Sequence, residues 1–362
     1  MSNEATTRML RMYEQTAEPA GFFASLFQSP RENFYNSEGV EIDIMRDDED
    51  VAIVVTDLST GYRINSADIY TNKRYIPPIF KEGFSLTGYD QIKRQPGQDP
   101  FQDPQYQVNM MAGFMRELRK VEKKIRRAVE LQASQVMQTG VVTLTDASGN
   151  ALYTLSFQPK ATHFPTANVA WDAGATATIA ADLESLMDVI RDDGKSDPRP
   201  SLWGLDAYQA ALGNADFLAI FDSRRANQGE IVPMQERANG AKYRGTIDLG
   251  NYPLDIFTYN GKYKHPQTGT LTPYMDPAKV CIWVEDTRLD GTWGNVPFAV
   301  PPERRVLPFL PPRMQRAGAG GVDMITNAWV DDKGEHLFGG ISARPLMIPT
   351  AIDTFGCIDS DV

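Results

Sequence analysis

The chain has 362 residues, 42% hydrophobic and 23% charged, ordinary proportions for a globular protein with room for two or three packed units. Its formal net charge of −11 argues against a general nucleic-acid binder, because affinity for DNA comes mainly from Lys and Arg neutralising phosphates. No apolar run approaches a membrane span, the N-terminal stretch lacks a secretory pattern, and two cysteines without CxxC spacing fit a reducing compartment.

Residues 1–50 read as an arm. Met9, Leu10, Met12 and Tyr13 suit a short helix, and the FFASLF run from Phe22 forms an apolar anchor between Pro19 and Pro30. Val40, Ile42 and Ile44 alternate as in a half-buried strand. Residues 51–102 read as a long extended hairpin, in which strand-like pieces alternate with turn residues and too few apolar side chains are present for a separate core. Asp103 as N-cap and Pro104 at the first helical position then open a spine helix. Val108, Met111, Met115, Leu118, Val121, Ile125, Ala128 and Val136 supply its apolar stripe, and Gly140 its stop. About 36 residues give roughly 54 Å. Arg116, Arg119, Lys120, Lys123, Lys124, Arg126 and Arg127 stand against Glu117, Glu122 and Glu130. They read as a solvated face with ion pairs at helical spacing, the alternative being a contact face for an acidic partner. A long hairpin feeding a long helix suits a subunit that lends its hairpin to a neighbour.

Residues 141–144 and 152–157 flank DASGN as a hairpin. Helices are expected at 182–191 and 207–221, the latter interrupted near Gly213 and Asn214. From 243 to 284 the pattern is β, with turns at Asn260-Gly261 and Thr268-Gly269. Residues 297–321 read as a connection and 322–349 as a hairpin turning near 331–334. The layout is a central α/β unit, 173–321, inserted between 103–172 and 322–350 of an elongated peripheral unit, with a tail at 351–362.

Catalytic patterns are missing from the sequence. His163, His265 and His336 lie far apart and read as surface or turn residues, and neither HExxH nor GxSxG occurs. Gly194-Lys195-Ser196 lacks the upstream glycine of a phosphate loop, where Val189 stands instead. Gly318, Gly320 and Gly321 suit a hinge. The expectation is a protein without catalytic residues, metal or cofactor. A single Cys281–Cys357 bond is left as the alternative to two free thiols.

Several local motifs stand in colinear order. They are Tyr75-Ile76-Pro77-Pro78-Ile79 with Lys81, then Asp99-Pro100 and Asp103-Pro104, then Leu205-Asp206-Ala207-Tyr208. Phe221-Asp222-Ser223-Arg224-Arg225, Tyr243-Arg244-Gly245, Tyr274-Met275-Asp276-Pro277 and Ser342-Ala343-Arg344-Pro345-Leu346-Met347 follow. Together they resemble the lambda-type major capsid protein E family of tailed phages over about residues 20–350. The last of them resembles the family's SAPLM strand, with Arg344 an insertion-like departure. The resemblance implies an α+β Hong Kong 97-type capsid fold with arm, extended hairpin, spine helix, peripheral domain and axial domain. It also implies hexamers and pentamers in an icosahedral head around double-stranded DNA, assembled in the host cytoplasm and carried in the virion, with no membrane. The partners expected are a separate scaffolding protein and a portal, with a decoration protein left open. Subunit-contact candidates are Phe22, Phe23, Tyr75, Pro77, Pro78, Ile79, Lys81, Asp222, Arg224 and Arg225. Phe22 and Phe23 would bind a neighbour or the spine helix; Arg224 and Arg225, with Asp222, would act around a ring. The runner-up is a tail-tube or decoration protein, which the long helix disfavours; an enzyme with an inserted domain is the third reading.

Overall fold

The computed structural model describes residues 21–30, 33–35, 40–45, 70–89, 106–145, 148–220, 240–296, 323–330 and 335–361. The expected short helix near Met9, the Asp103-Pro104 helix start, residues 46–69 and 297–321, and Asp222, Arg224 and Arg225 lie outside them.

The arm contributes α1 (Phe22–Leu26) and β1 (Phe34–Tyr35). The alternating segment forms β2 (Val40–Met45), which pairs antiparallel with β3 (Tyr70–Tyr75). The outgoing strand of the hairpin therefore lies within the segment expected to be arm. β4 (Phe80–Thr87) follows, and then the spine helix α2 (Tyr106–Thr139), 34 residues long. Gly140 ends it in the left-handed region, φ 64°, with its N–H 2.8 Å from the Val136 carbonyl. β5 (Val141–Thr145) and β6 (Ala151–Ser156) make the expected hairpin across DASGN.

Next come α3 (Ile179–Gly194), β7 (Pro198–Trp203) and α4 (Leu205–Gly213). The expected helix break is real. Asn214 is extended, and its side-chain oxygen accepts the Phe217 N–H at 3.0 Å, capping a further helical run over 215–220. β8 (Ala241–Leu249), β9 (Tyr252–Tyr259), β10 (Lys262–Lys264), β11 (Leu271–Pro273) and β12 (Lys279–Val284) follow, turning at Asn260-Gly261 and Thr268-Gly269 as expected. β13 (Asp290–Gly294), β14 (Ile325–Val330), β15 (His336–Ala343), β16 (Pro345–Ile348) and β17 (Phe355–Asp359) complete the chain.

One five-stranded sheet, in the order β17-β12-β7-β9-β8, forms the central unit. Only β7 and β9 run parallel in it. Period-two alternation gives each face its own core. Val280, Ile282 and Val284 of β12 pack with Leu183, Leu186 and Ile190 of α3. Cys281 and Trp283 point the other way, into the core shared with α1 and α2. β17 corrects one expectation. Residues 351–362 were expected as a tail, yet 355–359 pair with the whole run from Lys279 to Trp283 and are largely buried.

The peripheral unit carries two three-stranded sheets, β14-β15-β4 and β1-β13-β16. The buried stripe of α2 faces them and the central sheet through Phe114, Leu118, Val121, Ile125, Val129, Ala133, Val136 and Met137. It is turned slightly from expectation: Met115 and Ala128 are only half-buried, while Phe114 and Val129 point inward. The Phe114 ring meets Phe84 of β4 edge-on at 5.1 Å. Both rings lie over Gly339 of β15, where a Cβ would come within 2.5 Å of Phe84. A glycine in that strand is what admits the pair.

His163 is a core residue, not a surface one. Its Nδ1 lies 2.8 Å from the Phe355 carbonyl and its Nε2 3.0 Å from Asp193 Oδ2, tying β17 to the end of α3. Burial raises the Asp193 pKa, but hydrogen bonds from Lys160 and His163 outweigh it and hold the carboxyl below its ordinary value. His265 keeps its expected turn role, its Nδ1 accepting the N–H groups of Gln267 and Thr268.

Candidate functional site

Two junctions decide how the arm and the hairpin leave the body. The first is α1 on α2. A five-residue helix has no stability of its own and needs its leading N–H groups satisfied. Glu130 of α2 does this from a distance in sequence: its carboxylate accepts the Phe23 N–H at 2.9 Å and the Ala24 N–H at 2.7 Å. The Tyr259 hydroxyl donates to the same carboxylate at 3.0 Å. A negative charge at a helix N-terminus also meets the positive end of the dipole. Glu130 is only 1% exposed. Burial pushes its pKa up, and the bonds from Ala24, Phe23 and Tyr259 pull it only partly back. Around this anchor Phe22 packs on Tyr259 at 5.6 Å and Trp283 at 6.3 Å.

The second junction holds the hairpin root. Along 75–79 Tyr75 and Pro77 are buried while Ile76 and Ile79 are 51% and 48% exposed, the alternation of 75–77 breaking at Pro78. The Tyr75 ring stacks obliquely on Phe157 at 5.2 Å, and the Tyr153 hydroxyl donates to the Ile76 carbonyl at 2.8 Å. Arg344 donates to the Pro77 carbonyl at 3.4 Å and to the Asn295 carbonyl at 3.2 Å. This is the insertion-like residue of the sequence motif. It sits between β15 and β16, where the chain passes from one peripheral sheet to the other, and it is 4% exposed. Its guanidinium fork bridges the hairpin root to the β13 end.

The predicted contact residues therefore divide. Phe22, Phe23, Tyr75 and Pro77 are buried within their own chain and have little surface to offer a neighbour. For Phe22 and Phe23 this is the spine-helix alternative of the expectation, since α1 seats on Glu130 of α2; Tyr75 and Pro77 anchor the hairpin root within the chain. Pro78 is half-buried, and Ile79 and Lys81 are exposed and accessible. Asp222, Arg224 and Arg225 lie outside the described residues.

The charged face of α2 pairs as expected in Glu117–Lys120, 2.6 Å, and Glu122–Arg126, 2.9 Å. Exposed pairs of this kind contribute at most about 1 kcal/mol. On one flank Lys124, Arg127, Lys262 and Lys264, with Glu82, line an open cavity of ≈ 780 Å³. Sequence reasoning missed Glu130 and Arg344. The signal for Glu130 was its neighbourhood: residues 131–139 carry no charge, so α2 is buried nearly all round there.

The model of the phage major capsid protein E family matches residues 5–356. The chain belongs to that family. It is a major capsid protein, a virion component that builds the icosahedral phage head, and the family is a structural rather than an enzymatic one. A solved structure described as a prophage capsid protein from Escherichia coli CFT073 matches with TM-score 0.58 and 15% identity, over 80% of this chain and 79% of that one. A Gordonia phage Cozz structure gives TM-score 0.48 at 11% identity, over 95% and 88%. A phage-related protein of Bordetella bronchiseptica RB50 gives 0.47 at 11%, over 99% and 97%. No curated protein matches the sequence. The prophage likeness carries the Hong Kong 97-type fold: β2–β3 is its extended hairpin and α2 its spine.

Proposed function

We propose that this capsid protein assembles as hexamers and pentamers in which each subunit lends its β2–β3 hairpin to a neighbour. One observation carries this reading: among the described residues, β2 and β3 pair only with each other. A two-stranded ribbon is at best marginal in water. Here it is rooted firmly through Tyr75 and Pro77, so an adjoining subunit is the natural surface to complete it. Ile76, Ile79, Pro78 and Lys81 at the root are the contact residues on this reading. The division of the chain is an arm, the hairpin loop to about residue 102, a peripheral unit built on α2, an axial unit from about residue 173, and return strands.

The shell encloses double-stranded DNA without sequence-specific binding; a chain of net charge −11 attracts phosphate weakly, so packed DNA slides on it. A separate scaffolding protein and a portal complete the partners, with assembly in the host cytoplasm. Electron microscopy of the purified protein tests the reading. Six-membered rings or closed shells are expected; tubes or free trimers would instead favour a tail or decoration component.

We assign Arg224 and Arg225, with Asp222, to contacts around the ring. They follow the apolar run 217–221, where cations complement a helix C-terminus, and the fork of an arginine can hold a carboxylate in two bonds. A contact worth about 1 kcal/mol is repeated in every subunit. Reversing both charges, Arg224→Glu with Arg225→Glu, should cut the yield of particles severalfold and leave the melting temperature of the free subunit unchanged. Normal yield rules the contact out, and a lowered subunit melting temperature moves the pair to a folding role.

A further inference from the structure

Cys281 and Cys357 are both free and buried. They are direct partners in the β12–β17 ladder, and their sulfurs lie 3.3 Å apart. Directly paired residues in an antiparallel ladder hold their Cα atoms about 4.5–5.5 Å apart, inside the range a disulfide spans. Both side chains sit on the face of the sheet that packs under the end of α2, where the Cys281 thiol approaches the Met137 carbonyl at 3.7 Å. The sulfurs need to close by only about 1.3 Å to reach bonding distance.

The topology gives this pair a position of consequence. The chain leaves the central sheet after β12, builds β13 to β16 of the peripheral unit, and comes back as β17. The two cysteines, 76 positions apart, thus sit on the outgoing and returning strands of that excursion. Among the described residues β17 pairs along its length only with β12, and is otherwise tied at Asp359 to Pro165 and Ala167 and at the Phe355 carbonyl to His163. A covalent tie between β12 and β17 would close the excursion into a loop and prevent β17 from peeling away.

We propose that Cys281 and Cys357 form an oxidation site: the thiols stay reduced while the subunit folds and assembles, and join as a disulfide once the particle meets an oxidising medium. The inference rests on the capsid reading only for its timing. Two S–H bonds break and one S–S bond forms; two protons go to solvent and two electrons to a small diffusible oxidant, such as a low-molecular-weight disulfide, an azo compound or dissolved oxygen. Disulfides persist on virion surfaces and are reduced in the cytosol. Burial raises the Cys281 pKa well above its ordinary value, with the neighbouring Cys357 adding to it. Since the thiolate is the reacting species, closure is slow and the reduced pair survives assembly.

The test uses the full chain, native and reduced, incubated with diamide, then unfolded in guanidinium, alkylated and weighed. The expected product lacks both alkyl groups, weighs two hydrogens less, yields one Cys281–Cys357 peptide without reductant, and melts several degrees higher until dithiothreitol is added. Cys357→Ala and Cys281→Ala should show no diamide-dependent shift. A second arm refolds the wild-type chain in a glutathione redox buffer, where access is not limiting. Two alkylated thiols in both arms, disulfide-linked dimers in place of the internal bond, or a bond that leaves the melting temperature unchanged would each overturn the proposal. Assembly behaviour is not read out, so its outcome and that of the hexamer-and-pentamer reading fall independently.

Discussion

Glu130→Ala should cost the free subunit roughly 3–5 kcal/mol, because it removes one acceptor that serves two buried donors and a half-buried one. The Phe23 and Ala24 N–H groups and the Tyr259 hydroxyl all converge on this carboxylate. Each left without a partner in the core pays its own desolvation cost, and α1 has only five residues with which to compensate. At about 2 °C per kcal/mol for a chain of this size, the melting temperature should fall by roughly 6–10 °C. The loss should be local first. Amide exchange at Phe23 and Ala24 should rise before exchange in β12, and Trp283 fluorescence should shift as Phe22 leaves it. Glu130→Gln separates charge from packing. Its amide keeps one acceptor but turns a donor toward one of the two N–H groups, so a loss between wild type and Ala is expected. The pH dependence has a definite sign. Burial holds this carboxyl above its ordinary value, so folding takes up a proton between the unfolded and folded pKa. The wild type should therefore gain stability relative to Glu130→Gln as pH falls through that window, and lose it as pH rises. A Glu130→Ala subunit with unchanged melting and unchanged exchange at Phe23 would show that the aromatic cluster alone holds the arm.

Local signals in the sequence were legible, and long-range ones were not. The alternation of Val40, Ile42 and Ile44 gives β2, Gly140 the end of α2, Asn260-Gly261 a turn, and Asn214 a helix break. Each depends on residues within a few positions of one another. The family resemblance added the order of the parts, and the family match carries it from residue 5 to 356. β17 was missed because its meaning lies in β12, far back in the chain; a five-residue Phe-Gly-Cys-Ile-Asp stretch has no period long enough to declare itself. Glu130 was grouped with the charged face because spacing alone cannot tell a carboxylate facing water from one facing backbone N–H groups. Arg344 looked like a register error. It is a bridge, and its bonding partners, Pro77 and Asn295, come from segments remote in sequence. His163 was expected at the surface for a related reason: its partners are a carbonyl of β17 and the last turn of α3.

Where the hairpin is cut should decide whether the subunit folds. Residues 72–82 are its root. Tyr75 is 5% exposed, against Phe157. Phe80, Lys81 and Glu82 open the eight-residue ladder of β4 with β15, and that sheet packs on α2 through Phe84. Deleting 72–82 removes a buried aromatic, three ladder positions and the acceptor carbonyls of Tyr153 and Arg344. Loss of a buried aromatic alone costs about 3–5 kcal/mol, and buried Arg344 loses one of its two carbonyl acceptors. Against a total stability of about 5–15 kcal/mol, cooperative unfolding should disappear. A cut farther out behaves differently. Replacing residues 48–67 with a short Gly/Ser turn keeps β2, β3 and their six-position register, the junction at Tyr75 and all of β4. That variant should melt cooperatively within a few degrees of wild type, yet fail to form shells, because on the proposed reading a hairpin cut back to β2 and β3 offers the neighbour too little surface. Gel filtration and electron microscopy of the two deletions side by side check both halves. Closed particles from the 48–67 variant would end the lending role of the hairpin, and a cooperative melt from the 72–82 deletion would end the argument for its root.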